Sequence, residues 1–454
     1  MTVPGAAVPA RSRSARSAPV RPTPSRLGND GSLLLPGLWL VVLLLVAGGV
    51  RLALILREAL VSYPLATGTA IALFALYAVP FLIFVRALDY LEREPPVLLA
   101  TAFAWGGLVA TSLAISGGGA LHNLLAKLGS PEFAATWGPA IAGPAIEEIA
   151  KALGIVAIVL VARTQVNSVL DGVVYGSLVG LGFQVVEDVV YAVNAVVLAG
   201  RGDQVDPVIA TFFLRGFLAG LWSHTLFGAL AGAGIGYLVV RTDRRAVTRL
   251  AAAALALGGA WLCHFVWNSP LLADGLGYGG FGVLAGLLLK GVPPLLAILL
   301  LVRSARGREA DYYTTHLVAL GDPRVITPAE VRVLCRSRLR AEARRYAHGR
   351  AGISGRRGVR QLQRAQARLA VELSRAGYGP PREPAVRAAA LADAAVHRCY
   401  GEVLAQRARL IALAHPEALA PHQRRTLVRR WVNGVLALLA VFVVWAAIRS
   451  LGGS

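Results

Sequence analysis

The sequence predicts an all-α, polytopic membrane bundle of about nine helices with a helical insertion on the cytoplasmic side. Three observations carry this. Hydrophobic residues make up 56% of the 454-residue chain and charged residues only 16%, against roughly 25% in a soluble domain. Runs of about 20 apolar residues recur, each long enough to cross a bilayer. The basic residues, nearly all arginine, gather in alternate connecting segments, as the positive-inside bias requires. The net charge of +21 therefore reads as a topology signal and a contact with anionic lipid. Nucleic acid is not expected as a partner.

Residues 1–32 are rich in Pro, Ser and Arg and read as a disordered basic tail. The tail is long for a signal-peptide n-region, and the apolar run after it lacks a clear cleavage site, so that run is expected to be retained as a span. Membrane helices are expected over 33–56, 66–88, 97–116, 138–162, 170–199, 213–240, 248–270, 281–303 and 431–449. Residues 33–303 thus form an eight-helix core, and 431–454 hold a C-terminal membrane helix. Arg11, Arg13, Arg16, Arg21 and Arg26 place the N-terminus inside. Alternation then puts the loops near 89–96, 163–169 and 241–247, and the segment 304–430, inside as well. The loops expected outside, near 117–137, 200–212 and 271–280, hold only Lys127 and Arg201. The C-terminus is expected outside.

Segment 304–430 is Arg-rich and is broken by Gly355-Arg356-Arg357-Gly358 and by Pro380-Pro381. Thr327 to Glu330 matches a capping box and should start a helix. Helices are expected over 328–347, 359–376 and 384–413, with an amphipathic pattern. The region reads as a small cytoplasmic helical unit or a lipid-surface module. Cys263, Cys335 and Cys399 form no CxxC and no metal spacing, and read as unpaired thiols. No internal repeat is apparent.

Ionisable side chains near the centre of a bilayer are costly and so mark functional sites. Four predicted helices carry them. The fourth contains Gly143-Pro144-Ala145-Ile146-Glu147-Glu148-Ile149-Ala150-Lys151, with Lys151 one turn beyond Glu147 and able to pair with it. The fifth contains Glu187-Asp188, the sixth His224, and the seventh His264 and Asn268 one turn apart on one face. At 1.5 Å rise per residue, Glu147 lies roughly 14 Å from the outer end of its helix, Glu187 about 18 Å, His224 about 16 Å and His264 about 9 Å. The four groups fall in one layer of the outer half of the bundle and should converge. Lys290, at roughly 14 Å by the same rise, either neutralises a glutamate or snorkels. Asp188 flanks the site, and Asn194 is expected to serve packing.

Carboxylates and imidazoles in a partly apolar site allow two hydrolytic routes. In one, a metal such as Zn²⁺ lowers the pKa of a bound water and a spare glutamate acts as base. The ligand candidates are Glu148, Glu187, His224 and His264. In the other, a buried glutamate activates water while His264 and Asn268 donate to the oxyanion. No His-Glu-x-x-His motif is present, so the usual metalloprotease signature is missing. Either route in a membrane implies a substrate whose scissile bond is embedded in the bilayer or lies beside it. A cation- or proton-coupled transporter could use the same carboxylates, but would usually show repeats and broken helices in matching halves. A non-proteolytic scaffold on the same fold is the other alternative.

Glu-Glu-x-x-Lys at 147–151, Phe-x-x-x-Glu at 183–187, His224, and His-x-x-x-Asn at 264–268 together resemble the PrsW family of intramembrane proteases, which is related to CAAX-type endopeptidases. Ala-Trp-Gly at 104–106, the Gly-Pro before the glutamate pair and Asp-Gly-x-x-Tyr-Gly at 171–176 belong to the same resemblance, which covers roughly residues 80–305. The resemblance implies proteolysis of a membrane-anchored protein, such as an anti-sigma factor cut on its extracytoplasmic side. It implies that Glu147 and Glu148 are needed for activity, that Glu187, His224 and His264 fill the remaining polar positions, and that His264 and Asn268 form the oxyanion hole. The family is named a metalloprotease, whereas its relatives support a glutamate mechanism. The basic insertion and the last helix lie outside the family core, and Asp188 stands where Asn would be expected.

Overall fold

The computed structural model describes residues 36–88, 94–219, 223–271, 279–377, 384–415 and 418–419. Among them every regular element is a helix. The order is α1 (Pro36–Ser62), α2 (Pro64–Leu88), α3 (Pro96–Ala104), a π-helical segment (Trp105–Ala110), α4 (Thr111–Leu128), α5 (Pro131–Val161), a 3₁₀ turn (Arg163–Gln165), α6 (Val169–Ala199), α7 (Asp206–Thr211), a second π-helical segment (Phe212–Ala219), α8 (His224–Val240), α9 (Ala246–Asn268) and α10 (Gly279–Ala319). There follow α11 (Pro328–Cys335), α12 (Ser337–Arg375), α13 (Pro384–Ala392) and α14 (Ala394–Ala412).

Six helical runs among the described residues are long and apolar enough to cross a membrane: Pro36–Ser62, Pro64–Leu88, Pro96–Leu128, Val169–Ala199, Ala246–Asn268 and Gly279–Ala319. The α5 helix is long enough, with 31 residues, but carries Glu147, Glu148 and Lys151 within two turns. The predicted span 213–240 is in two pieces. The π-helical segment ends at Ala219, and α8 begins at His224 with only 17 residues. The basic tail 1–32, Trp222, Pro380-Pro381 and the expected helix 431–449 lie outside the described residues.

Other boundaries also move. The stretch near 117–137, expected as a loop, is helical except at Gly129 and Ser130. The turn chemistry sits there: Ser130 caps α5 by accepting from the Phe133 N–H at 3.1 Å, and Pro131 opens the helix, as N-caps and N1 prolines do. The eighth predicted span does not stop at 303, because α10 runs unbroken to Ala319. In the basic insertion the helix passes straight through 355–358. Gly355 and Gly358 are packing glycines: a Cβ there would lie 2.5 Å from the Ala347 carbonyl and 2.7 Å from Leu410 Cδ2. The break falls at Ala351–Gly352 instead, where Gly352 has φ +59° and ψ −151°, a conformation essentially reserved for glycine.

The α6 helix is the axis of the membrane core. Gly172, Gly176 and Gly180 recur every four residues on one face and meet Gly228, Gly232 and Gly236 of α8. A Cβ on Gly176 would lie 2.0 Å from the Gly228 carbonyl oxygen, and one on Gly232 2.0 Å from that of Gly172. Small residues at this spacing let two membrane helices touch backbone to backbone. On another face, Gly182 meets the Phe103 carbonyl and Gly106 the Val179 carbonyl, each at 1.9 Å from an added Cβ. Ser168 and Asp171 form a reciprocal capping box at the start of α6. At the far end of α8, Arg163 donates to the Val239 carbonyl and Arg249 to that of Leu238, both at 3.0 Å. These are the carbonyls a helix C-terminus leaves without partners.

Residues beyond Tyr313 build a second core, which includes Leu317, Leu320, Leu334, Leu362, Leu369 and Val403. Its polar centre is Glu330, which closes the expected capping box with Thr327. Glu330 also receives Arg407 Nη1 at 2.6 Å and Nη2 at 2.8 Å. Burial alone would raise the Glu330 carboxyl, but the hydrogen bonds and charge of Arg407 outweigh it and hold it below the usual range.

Two outcomes follow from this packing. Gly176→Val should collapse the α6–α8 contact, with a loss of about 1–3 kcal/mol or more from overpacking. Gly118→Ala, where an added Cβ meets nothing within 4 Å, should not. Thermal unfolding of the purified chain in detergent separates the two. Arg407→Ala should destabilise the second core by about 3–5 kcal/mol at neutral pH, since it strands a buried carboxylate. A depressed carboxyl stabilises above its unfolded value of about 4.3, and that contribution is lost as pH falls through the folded value. The gap between wild type and Arg407→Ala should therefore narrow in acid, read by limited proteolysis of the full chain against pH.

Candidate active site

The α5 helix delivers Glu147, Glu148 and Lys151, α6 delivers Glu187, the first residue of α8 is His224, and the last turn of α9 carries His264 and Asn268. The structure brings all six predicted site residues into one connected group. Lys151, with no exposed surface, sits at the centre. Its Nζ donates to Glu148 Oε1 at 2.7 Å and to Glu147 Oε2 at 3.4 Å, and faces His224 Nδ1 at 2.8 Å. It also lies 4.1 Å from the centre of the Phe183 ring. The expected Lys151–Glu147 pair is present, but the shorter bond is to Glu148.

The hydrogen-bond chain assigns the histidine tautomers. An ammonium has no acceptor, so His224 Nδ1 accepts from Lys151 and the ring proton resides on Nε2. That Nε2–H donates to Glu187 Oε2 at 2.9 Å. His264 has the opposite arrangement. Its Nδ1–H donates to Glu148 Oε1 at 2.8 Å, and its Nε2 accepts from Asn268 Nδ2 at 3.1 Å. The same Asn268 amide donates to the Pro139 carbonyl at 3.1 Å. Asn268, expected as an oxyanion donor, is here committed to orienting His264.

Glu147 is the least engaged carboxylate. Its Oε2 lies 3.8 Å from both His224 Nδ1 and His264 Nε2, the ring nitrogens that accept from Lys151 and Asn268. Gaps of this length between polar atoms are the ones a water bridges. Gly143, one turn earlier, keeps the space beside it open: a Cβ there would lie 3.2 Å from Glu147 Oε1 and 3.8 Å from Asn268 Nδ2. A small recess adjoins the group, lined by Glu187, Asp188, Tyr191, Arg215, Trp267 and Asn268 among others. The backbone of α5 is braced from outside the cluster by Trp105, whose indole N–H donates to the Ala150 carbonyl at 3.0 Å.

Glu147, Glu148, His224 and His264 have ligand atoms within 4.8 Å of one another, so this buried group could hold a metal ion. Two carboxylates and two neutral imidazoles suit a borderline cation by type. Glu148 Oε2, buried with no hydrogen-bond partner, is a donor such an ion would use. A divalent ion there would share its donors with the Lys151 ammonium, which must then move or lose its proton. Glu187, expected among the ligands, stands outside this foursome because His224 turns its other nitrogen to it.

Arg215 is the participant that reading the sequence missed. It lies in the second π-helical segment and donates through Nη2 to Glu187 Oε2 at 2.6 Å and through Nε to Asp188 Oδ1. The only signal was an arginine near the outer end of an apolar run, and depth alone makes that look like an interfacial anchor. Its presence accounts for Asp188, which flanks the site as expected and faces a cation. Lys290 does not reach a glutamate. It donates to the Ser269 carbonyl at 2.8 Å, at the C-terminal end of α9. Asn194 is exposed on α6, away from this group.

Residues 94–298 match the model of a family described as PrsW family intramembrane metalloprotease, and the match supports an intramembrane protease in this part of the chain. No curated protein and no solved structure matches the chain. The matched stretch begins just before α3 and ends within α10, so it holds every residue of the cluster and leaves the second core outside.

Lys151→Met should leave Glu147 and Glu148 without their cation and destabilise the bundle by about 3–5 kcal/mol. Lys151→Met combined with Glu148→Gln should recover much of that loss, because the strongest stranded charge is gone. Thermal unfolding of both proteins in detergent gives the comparison, and equal loss in the two would refute the central role of Lys151.

Proposed function

We propose that this protease domain hydrolyses peptide bonds of membrane-anchored proteins, with Glu147 as the base that activates water. The observation that carries this reading is the contrast between the paired glutamates. Glu148 is tied down by Lys151 and His264 through bonds of 2.7 and 2.8 Å, whereas Glu147 Oε2 has only the 3.4 Å contact with Lys151 and lies 3.8 Å from each imidazole. A water there donates a proton to Glu147, leaving its oxygen lone pair for the scissile carbonyl. Glu147 takes the proton, the new C–O bond gives a tetrahedral oxyanion, and the C–N bond breaks as the proton passes to the leaving amine. Asn268 reaches the oxyanion by exchanging the Pro139 carbonyl for it, while His264 orients the Asn268 amide. Glu187 and His224 orient the cluster. A metal ion such as Zn²⁺, held by Glu147, Glu148, His224 and His264, would supply Lewis-acid polarisation and a more acidic water.

The depth of these residues, in the outer half of the bundle, supports cleavage on the extracytoplasmic side, as for a site-1 cut in an anti-sigma-factor-like protein. The arginine distribution supports a cytoplasmic N-terminus, a cytoplasmic unit over 304–430 and an extracytoplasmic C-terminus after a last membrane helix over 431–449. Exposed Arg345, Arg350, Arg356, Arg357 and Arg360 give the cytoplasmic unit a face suited to anionic lipid.

The full-length chain in detergent, incubated with a panel of single-span peptides, should cleave at least one of them. Glu147→Gln and Glu148→Gln should abolish cleavage. Survival of activity under strong chelation, with no metal in the purified protein, selects the glutamate route; loss restored by Zn²⁺ selects the metal route. Failure to cleave any peptide, with ion uptake into liposomes instead, would overturn the reading in favour of a transporter. Failure in both assays would leave a scaffold.

A further inference from the structure

Glu187 has a long side chain with several rotatable bonds and, on the recess side of the cluster, one acceptor oxygen shared by two donors. His224 Nε2 approaches Glu187 Oε2 at 2.9 Å and Arg215 Nη2 approaches the same atom at 2.6 Å. The guanidinium is itself fixed by three consecutive contacts along α6: Glu187, Asp188 and the Tyr191 ring, whose centre lies 3.9 Å from its central carbon. Asp188, only 1% exposed, anchors the Nε edge. The phenol of Tyr191, one turn beyond Glu187, supports the flat face, a stacking that guanidinium favours. The wide turn of the π-helical segment, a geometry often found at functional sites, presents Arg215 to this face of α6. Phe212, Phe213 and Phe217 of the same segment pack against one another, with ring centres 5.4–5.8 Å apart.

We infer that Arg215 is a positioning residue of the peptidase centre: it holds Glu187 against His224 and thereby fixes the orientation of the His224 ring. The argument rests on the proposed peptidase reading and runs through donors and acceptors. His224 is the first residue of α8. Its ring has two polar neighbours at hydrogen-bonding distance, Lys151 on Nδ1 and Glu187 on Nε2. If Glu187 swings away, the Nε2–H loses its acceptor and the ring is held by the Lys151 bond to Nδ1 alone. The ring is then free to turn, and Lys151, which it fixes between Glu147 and Glu148, is no longer held in place. Arg215 touches neither the water nor the scissile bond. Its two-edged hold on Glu187 and Asp188 requires a fork of N–H groups, which lysine lacks.

The test uses the full-length chain in nanodiscs, with ¹⁵N-labelled histidine side chains and peptide-cleavage kinetics on the same samples. His224→Gln assigns the His224 signals. In wild type, His224 should show a protonated Nε2 and an unprotonated Nδ1. Arg215→Gln should shift the Nε2 signal, as its hydrogen bond to Glu187 is lost, and lower kcat by about 10- to 100-fold, the scale of a misplaced catalytic group. KM should stay within about threefold, because no ground-state contact with substrate is removed. Arg215→Lys should recover part of both. The inference is overturned if Arg215→Gln leaves kcat and the His224 signals as in wild type, if kcat falls with those signals unchanged, or if only KM moves. Should Arg215→Gln fail to fold, an Arg215→Lys protein identical to wild type in both readouts overturns it equally. If wild type cleaves no peptide, the peptidase reading fails by itself, and the His224 spectrum still decides whether Arg215 sets the ring.

Discussion

A single buried ammonium governs the arrangement of the membrane core. Two adjacent glutamates in an apolar bundle are unfavourable unless a cation lies close by. Lys151 supplies it from the same helix, one turn on, with Nζ 2.7 Å from one carboxylate and 3.4 Å from the other. At an effective dielectric of about 20, an ion pair at 4 Å is worth about 4 kcal/mol, enough to dictate how neighbouring polar groups turn. Because an ammonium only donates, it forces His224 to present a lone pair, which sends that ring's proton to Glu187. Glu148, already held by Lys151, takes the proton side of His264, which leaves Asn268 to complete that ring. The polarity of the whole network runs outward from Lys151.

This network needs helices that cannot drift. Glycines at four-residue spacing on α6 and α8 bring the two backbones into contact, and the Gly106 and Gly182 contacts pin the first π-helical segment to α6. The carriers of Glu187 and His224 are thereby set in register to within a side chain's reach, which is what a group of hydrogen bonds near 2.8 Å demands. Trp105 adds a brace at Ala150, next to Lys151, so the helix bearing the glutamates is tied from behind. The second π-helical segment sits where a regular helix was expected to run on into α8, and this irregular stretch brings Arg215 to the recess. Two regular, tightly packed helices and one irregular connection thus divide the work of placing the charges.

Much of the site could be read without coordinates. Intramembrane charges are rare enough that Glu147, Glu148, Glu187, His224 and His264 stand out by hydropathy alone, and the constant rise of a helix predicted that they share a layer. The capping box at Thr327–Glu330 was equally legible, because capping depends on four consecutive residues. What failed was whatever depended on distant partners. Gly355 and Gly358 looked like a break and turned out to be packing surfaces against Ala347 and Leu410. The run 213–240 looked like one span because hydropathy does not register a π-helical segment. Arg215 went unnoticed, since only the fold shows Asp188 and Tyr191 beneath it.

By itself the sequence determined the class of the molecule, the helices that carry charge and the residues of the cluster, because burial energy, helix rise and capping are local properties of a chain. The tertiary structure decided which atom faces which. It made Glu148 the tightly held carboxylate and Glu147 the less engaged one, gave the two histidines opposite tautomers, moved Glu187 out of the possible metal-binding foursome and brought Arg215 into the network. Those outcomes depend on directions and distances between helices, set by close packing among residues far apart in sequence, and hydrogen bonding is directional enough that a few tenths of an ångström choose between them.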